Sequence, residues 1–380
     1  MLPLDVGERK ALSVTERLSR SLTFYSRVLP ILARYKLAEL DLEQRCADEE
    51  ECSAEYSELD EWGSDKLRDA ILELQGFYVK SGQVLSTRVD LFAKPYCDKL
   101  QVLQEGLAPI PTDVVKEVVR RELCGDGTLD ELFSDFEEKP LGCASIAQVH
   151  AATLLDGRRV AVKVQRPQNL DTVSKDLYVL RRAAEVYQGL IERFAPQQRT
   201  DYVGLLNEWA VGFYTELDFK NEAANMRKMG EVLEEAGVTD VLVPKVYDDY
   251  TTRKLLVSEW IDGVKLSQCD PAEIKDLIAI GQECFLVQLL QAGFFHSDPH
   301  PGNLIRPHDQ SRARLALIDF GLVATVQQSE MDKFVSSIVH LANKDYVALV
   351  DDFIELEILP KDCNRGKVHA HRTPHTAHRT

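Results

Sequence analysis

The sequence predicts an α+β chain of two lobes preceded by a helical extension, and three observations carry that reading. Residues 159–164 alternate as a half-buried strand and residues 145–154 are β-like, on either side of the turn dipeptide Asp156-Gly157, the pattern of a β-hairpin. Residues 66–88 and 271–291 instead repeat apolar side chains at helical spacing. A short apolar strand, Leu315 to Ile318, lies between two turn-rich loops that carry Asp298, Asn303 and Asp319. With 380 residues, 44% of them hydrophobic, the chain is long enough to build two lobes and extensions.

Residues 11–36 set Leu12, Leu18, Leu22, Val28 and Leu32 among Arg17, Arg20, Arg27 and Arg34. That is a basic amphipathic helix, suited to a membrane surface but read here as packing on a lobe, with Pro30 interrupting it. Acidic residues crowd 39–65, including Asp48-Glu49-Glu50-Glu51, as in a solvated linker. From Lys66 to Arg88, Leu67, Ile71, Leu74, Tyr78 and Leu85 line one helix face, and Lys80 and Gln83, three apart, share another. Gly82 inside that helix costs about 1 kcal/mol relative to alanine, which points to close approach of another element. By default Lys80 and Gln83 are solvated helix surface, and so are Glu216, Asp218 and Glu222. Spacing alone does not say which glutamate pairs with which lysine.

The hairpin's second strand, Arg159-Val160-Ala161-Val162-Lys163-Val164, presents a lysine on a half-buried surface, and the loop before the hairpin runs from Pro140 to His150 with a single glycine, Gly142. Lys254 to Gly263 is an apolar strand ending in a turn. Asp270-Pro271-Ala272-Glu273 opens a helix with an N-cap, proline at the first position and glutamate at the third, and that helix stops at Gly293. The resulting divisions are 1–65 (helix and acidic linker), 66–135 (helical extension), 136–262 (β-rich lobe), 263–365 (partial helical lobe) and 366–380 (His-rich tail).

Asp298, Asn303 and Asp319 form the strongest chemical constellation. Phosphoryl transfer needs one carboxylate near the acceptor, with an amide and a second carboxylate holding Mg²⁺ against the β- and γ-phosphates. His296-Ser297-Asp298 through Asn303, followed by Asp319-Phe320-Gly321, is the protein-kinase pattern HxDxxxxN then DFG, with His-Ser-Asp for His-Arg-Asp. Val160-Ala161-Val162-Lys163 matches the strand lysine of the same pattern, where the ammonium binds the α- and β-phosphates as a point charge. Turn formation alone would account for the loop residues, but not for all three patterns in order.

Four further matches make the chain resemble the UbiB family of atypical kinases, which includes the eukaryotic coenzyme Q and plastid quinone kinases. The loop Pro140–His150 carries Ala144, Lys80 to Gln83 match KxGQ, Glu216 to Asp218 match ExD, and His296 to Asn303 fit HxDxHxGN. The resemblance spans roughly residues 65–345. It implies a protein-kinase-like fold using ATP and Mg²⁺, with Asp298 and Lys163 catalytic and Asn303 and Asp319 as metal ligands. It implies nucleotide contacts from Ala144, Ser145 and Lys163, from Glu222 as the partner of Lys163, and from the backbone around Glu259 and Ile261. Lys80 and Gln83 belong, by resemblance, to an extension that folds over the active site and meets Glu216 and Asp218. Gly142 and Cys143 depart from the family's alanine-rich run. The implied setting is isoprenoid-quinone or related lipid metabolism in a mitochondrion or plastid, peripheral to a membrane, with a lipid surface and quinone-biosynthesis proteins as partners.

A formal charge of −17 argues against nucleic acid as a partner. The eight cysteines show no CxxC spacing, as expected of a reducing compartment. No apolar run reaches the 18 or so residues of a membrane span, and no targeting peptide stands out. The family's second lobe continues well beyond DFG, whereas residues 366–380 lose apolar periodicity and hold four of the nine histidines, as in a shortened and altered end. Two other readings follow. A small-molecule kinase of the aminoglycoside or choline type shares HxDxxxxN but not Lys80–Gln83, and would release ADP only with its acceptor. A non-catalytic pseudokinase scaffold would survive Asp319→Asn.

Overall fold

The computed structural model describes residues 13–45, 49–89, 92–103, 108–167, 169–194, 201–356 and 358–359. Leu12, Asp48 and the His-rich tail lie outside them. In chain order the elements are α1 (Val14–Arg45), α2 (Glu49–Leu74), α3 (Phe77–Thr87), α4 (Lys94–Leu100), α5 (Thr112–Val119), β1 (Phe133–Phe136), β2 (Gly142–Cys143), β3 (Ala147–Leu154), β4 (Arg159–Gln165), α6 (Asn169–Phe194), α7 (Tyr202–Glu216) and α8 (Phe219–Glu235). They continue as β5 (Val241–Leu242), β6 (Leu255–Glu259), β7 (Gly263–Lys265), α9 (Pro271–Val287), β8 (Phe294–His296), β9 (Leu304–Pro307), β10 (Leu315–Leu317), β11 (Val323–Thr325), α10 (Gln328–Ala342) and α11 (Tyr346–Glu355). The chain divides into two compact units, residues 1–220 with 247–258, and residues 221–246 with 259–380.

The first unit holds a sheet of order β1-β3-β4-β6, with β2 added on β3. The expected hairpin is β3–β4, antiparallel, with Val149 opposite Lys163. Val160, Val162 and Val164 enter a core with Val115, Val119, Phe133, Leu154, Leu255 and Val257. Burying each such side chain stabilises by about 1.5–3 kcal/mol, so β4 is pinned with Lys163 on the opposite, half-buried face. Two further cores hold the helices: Phe24, Ile71, Tyr78, Leu100, Leu103 and Val179 in one, and Phe77, Val173, Phe213 and Leu217 in the other.

Three expectations need correction. The helix expected over 66–88 is two helices, broken at Gln75 (φ +56°) and Gly76 (φ +59°). A Cβ on Gly76 would lie 2.5 Å from Asp176 Oδ2, so glycine is what lets the chain turn against α6. The described parts of the acidic stretch are helix and not linker: α1 runs to Arg45 and α2 begins at Glu49. Pro30 does not end α1, which continues through it. Here α1 is held from outside: Arg17 lies over Tyr178, Arg20 pairs with Asp176, Arg27 pairs with Glu73, and Arg34 lies over Trp62. These arginines face α2 and α6, so α1 is a packed helix. The close approach expected at Gly82 is present, since a Cβ there would collide with Leu103 and press on Ile71.

The second unit contains the sheet β5-β10-β9-β7 and the ribbon β8–β11. Asp270 caps α9 by accepting from the Ala272 amide at 2.8 Å, with Pro271 at the first turn, as its sequence predicts. After Val287 one π-helical turn leads to Gly293 in the left-handed region (φ +61°), which delivers the chain into β8. No helix among the described residues is long and apolar enough to cross a membrane.

Candidate functional site

In the second unit, Asp298, Asn303 and Asp319 are gathered around one backbone residue, Ile318. β8 and β11 pair His296 with Val323, and the Ser297 amide donates to Leu322 O at 3.1 Å. The His296 ring is buried and closes the loop. Its Nδ1 accepts from the Asp298 amide at 3.1 Å, so Nε2 carries the proton and donates to Ile318 O at 3.3 Å. Ile318 in turn donates its amide to Asn303 O at 2.9 Å. The residue after Ile318 is Asp319, and the first residue of the loop that His296 anchors is Ser297, followed by Asp298. Ile318 is therefore the hub between the two loops.

Asn303 is buried, and its side-chain amide donates to Asp298 O at 3.0 Å, with a longer approach of 3.4 Å to Asp298 Oδ2. That leaves Asn303 Oδ1 as the atom able to meet a metal ion. Asp319 adopts φ +65°, a conformation costing roughly 1–2 kcal/mol for a residue with a Cβ. It persists because Phe320 beside it is fully buried, edge-on to His296 with ring centroids 5.2 Å apart. Asn225 of α8 also donates to Phe320 O at 3.0 Å. Asn303 Oδ1 and the Asp319 carboxylate are hard oxygen donors that fit Mg²⁺, which takes one or two carboxylates and fills its octahedron with phosphates and water. Asp298 is half-exposed, with His300 Nε2 3.8 Å from its Oδ2. His300 Nδ1 accepts from the Gly302 amide at 2.9 Å, which fixes its ring over the turn.

In the first unit, Lys163 holds its ammonium 5.4 Å from the centroid of the buried Phe219 ring. The loop bearing Ala144 and Ser145 closes as a tight turn, with the Ala144 amide donating to Ala147 O at 2.8 Å. Arg166 ties it down, donating from Nε to Ala144 O at 2.9 Å and from its backbone amide to Ile146 O at 2.9 Å. Behind the loop, Gln148 and His150 are fully buried on β3. Gln148 accepts from the Ile110 amide at 2.9 Å, and its own amide approaches His150 Nε2 at 2.9 Å. His150 Nδ1 donates to Glu137 O, and burial holds this imidazole neutral by pushing its pKa down. Burial likewise pushes the Cys143 thiol up, away from a reactive thiolate.

The spacing left open which acid meets Lys80, and the structure answers with Glu216 at 3.1 Å. Gln83 donates to Leu103 O at 2.7 Å, within the extension. Asp218 does not join them: it pairs with Arg253 at 3.2 Å and accepts from the Lys220 amide. Glu222 is buried on α8. In the second unit, Glu259 pairs with Arg312 through its side chain, and its amide donates to Lys245 O at 2.8 Å. Ile261 lies two residues beyond the end of β6.

Sequence reasoning gave no role to His296, Gln288, Asn225 or Arg166. Gln288 is fully buried and accepts from the His296 amide at 2.9 Å, so a glutamine within the apolar run 284–295 was itself the signal. Arg166 left no signal, because its partners are backbone carbonyls.

A family model of the ABC1 atypical kinase-like domain matches residues 102–353. Over 306 residues the chain is 39% identical to an Arabidopsis thaliana protein named as an uncharacterized aarF domain-containing protein kinase, chloroplastic, covering 80% of this chain and 42% of that one. Over 308 residues it is 33% identical to "Probable protein kinase UbiB" of Aliivibrio fischeri, covering 79% and 55%. The chain thus spans about half the length of the curated relatives it matches. Among solved structures, Rv3197 of Mycobacterium tuberculosis, determined with erythromycin, superposes with a TM-score of 0.52 at 27% identity over 81% of this chain and 75% of that one. With a family model covering more than half of its residues, the chain belongs to the ABC1/UbiB family of atypical kinases and has their protein-kinase-like α+β fold.

Proposed function

We propose that this chain binds ATP with Mg²⁺ and transfers or hydrolyses its γ-phosphate, in support of isoprenoid-quinone or related lipid metabolism in a plastid. The observation that carries the reading is the Ile318 hub, which holds the loops of Asp298, Asn303 and Asp319 by the His296 and Asn303 bonds. In this reading Asp298 orients and accepts the proton of the attacking hydroxyl, from water or a lipid-soluble acceptor. The bond from the γ-phosphorus to the bridging oxygen of ADP breaks as the new one forms. When bound, Mg²⁺ neutralises the β- and γ-phosphates and is held by Asn303 and Asp319. Lys163, with Glu222, serves the α- and β-phosphates. Ala144 and Ser145 offer the turn that covers them, and the backbone around Glu259 and Ile261 serves adenine. The Lys80–Glu216 pair favours a restrained kinase or ATPase over a small-molecule kinase, which lacks this extension. The plastid is proposed because the Arabidopsis relative is named chloroplastic.

The test is phosphate release from Mg²⁺-ATP by the full chain, with and without added membranes carrying a quinone precursor. Asp298→Asn is expected to lower turnover by about 100-fold or more, the usual loss for a positioned proton acceptor. Equal turnover by the variant and the parent would defeat this assignment.

A further inference from the structure

One ion pair, its carboxylate buried and its guanidinium partly exposed, bridges both sides of the α2–α3 break. Arg20, on α1, donates from Nε to Asp176 Oδ1 at 2.7 Å and from its terminal nitrogen to the carbonyl of Leu74, the last residue of α2. Asp176, on α6 and fully buried, accepts with Oδ2 from the amide of Phe77, the first residue of α3, at 3.1 Å. The carboxylate thereby caps an α3 N-terminus that has no side-chain cap of its own. The guanidinium also lies 5.6 Å from the centroid of the Tyr78 ring, on which Phe24 of α1 stacks.

A buried ion pair is a poor way to stabilise a core, because desolvation offsets much of the attraction and apolar packing does as well or better. What this pair achieves is positional. The segment it clamps, Gln75-Gly76, has two successive residues at positive φ and so a conformation the backbone does not hold unaided. Phe77, fixed by Asp176, packs edge-on against Phe213 of α7 with centroids 5.2 Å apart. One helical turn further along each helix, Lys80 meets Glu216 at 3.1 Å. The same clamp therefore fixes the height and rotation at which α3 presents Lys80.

We propose that Arg20 and Asp176 are positioning residues, a latch through which the N-terminal helix α1 sets the α2–α3 break and so the Lys80–Glu216 pair. The latch rests on the kinase reading only in what it regulates; its mechanical action stands on the contacts above.

Two measurements on the full chain separate these levels. The first is hydrogen exchange of the amides of residues 77–87, with β3 and β4 as an internal reference. Arg20→Gln is expected to raise exchange there about tenfold and leave the strands unchanged, with Arg20→Lys restoring part of the protection. Asp176→Asn, which keeps an acceptor for the Phe77 amide, gives the same local pattern more weakly and guards against a folding failure of either variant. Unchanged exchange at 77–87, or an equal rise in the strands, overturns the latch.

The second measurement is ATP turnover in a double-mutant cycle with Lys80→Ala. Arg20→Gln should change kcat severalfold in the parent and by less than about twofold once Lys80 is gone. An equal change in both backgrounds contradicts action through Lys80. Absence of turnover in every protein would sink the kinase reading while the exchange result still decides the latch.

Discussion

Asp319 and Asp176 show how far a residue's role is written in its own identity. Asp319 was legible because Asp-Phe-Gly is a pattern, and the structure adds its left-handed backbone and the buried Phe320 that holds it. Asp176 carried no pattern, since one aspartate on a long helix looks like solvated surface until the fold brings Arg20 and the Phe77 amide to it. Burial raises its carboxyl from 3.8 to about 6, against the lowering effects of Arg20 and the Phe77 N–H. An acid whose folded value lies above its unfolded one stabilises most below the unfolded value and loses that contribution as pH rises through the folded one. The stability of the parent minus that of Asp176→Asn, from urea unfolding, should therefore fall by up to about 3 kcal/mol as pH rises from 4 to 7. A difference that stays flat over that range contradicts the burial account. Asp218 teaches the opposite lesson. It was expected at the extension by resemblance, but its neighbour Arg253 is nearer in the fold, and sequence motifs do not rank such competitors.

At the scale of elements, the sequence pattern located β3, β4, the strand before Asp319 and the start of α9 to within a residue or two, because each has a clear apolar face or an explicit cap, whereas α9 gives way to a π-helical turn after Val287, four residues before the expected Gln291. It failed at the α2–α3 break. The apolar positions keep helical spacing across Gln75-Gly76, so the pattern alone reads as one continuous helix. The reason for the break is tertiary, namely the Asp176 carboxylate where a Cβ on Gly76 would stand. Gly76→Ala should destabilise the first unit by about 2–4 kcal/mol, from the positive φ and the collision together. Thermal unfolding measures it, and a variant as stable as the parent would mean that the break relaxes freely. The acidic stretch misled for a related reason: charge runs resemble linkers, yet glutamate is a good helix former, and Leu59, Ile71 and Leu74 give α2 an apolar face to bury.

For the whole molecule, the sequence supplied the fold class and the candidate site residues, whereas the partners inside each unit had to come from the structure. The first unit joins Lys163, the Ala144 turn and the Lys80–Glu216 pair to one sheet and one helical extension. The second joins Asp298, Asn303 and Asp319 through Ile318. The proposed reading stands or falls on Asp298, Asn303 and Asp319 serving a Mg²⁺-nucleotide. Its most direct test is thermal unfolding of the full chain with and without Mg²⁺-ATP, using Asp319→Asn as the comparison. Ligand at about 100 times its dissociation constant adds about 2.7 kcal/mol. A rise of several degrees is expected in the parent, lost without Mg²⁺ and much reduced in Asp319→Asn. A cooperative transition that Mg²⁺-ATP leaves unmoved in the parent, or moves equally in the variant, would contradict it.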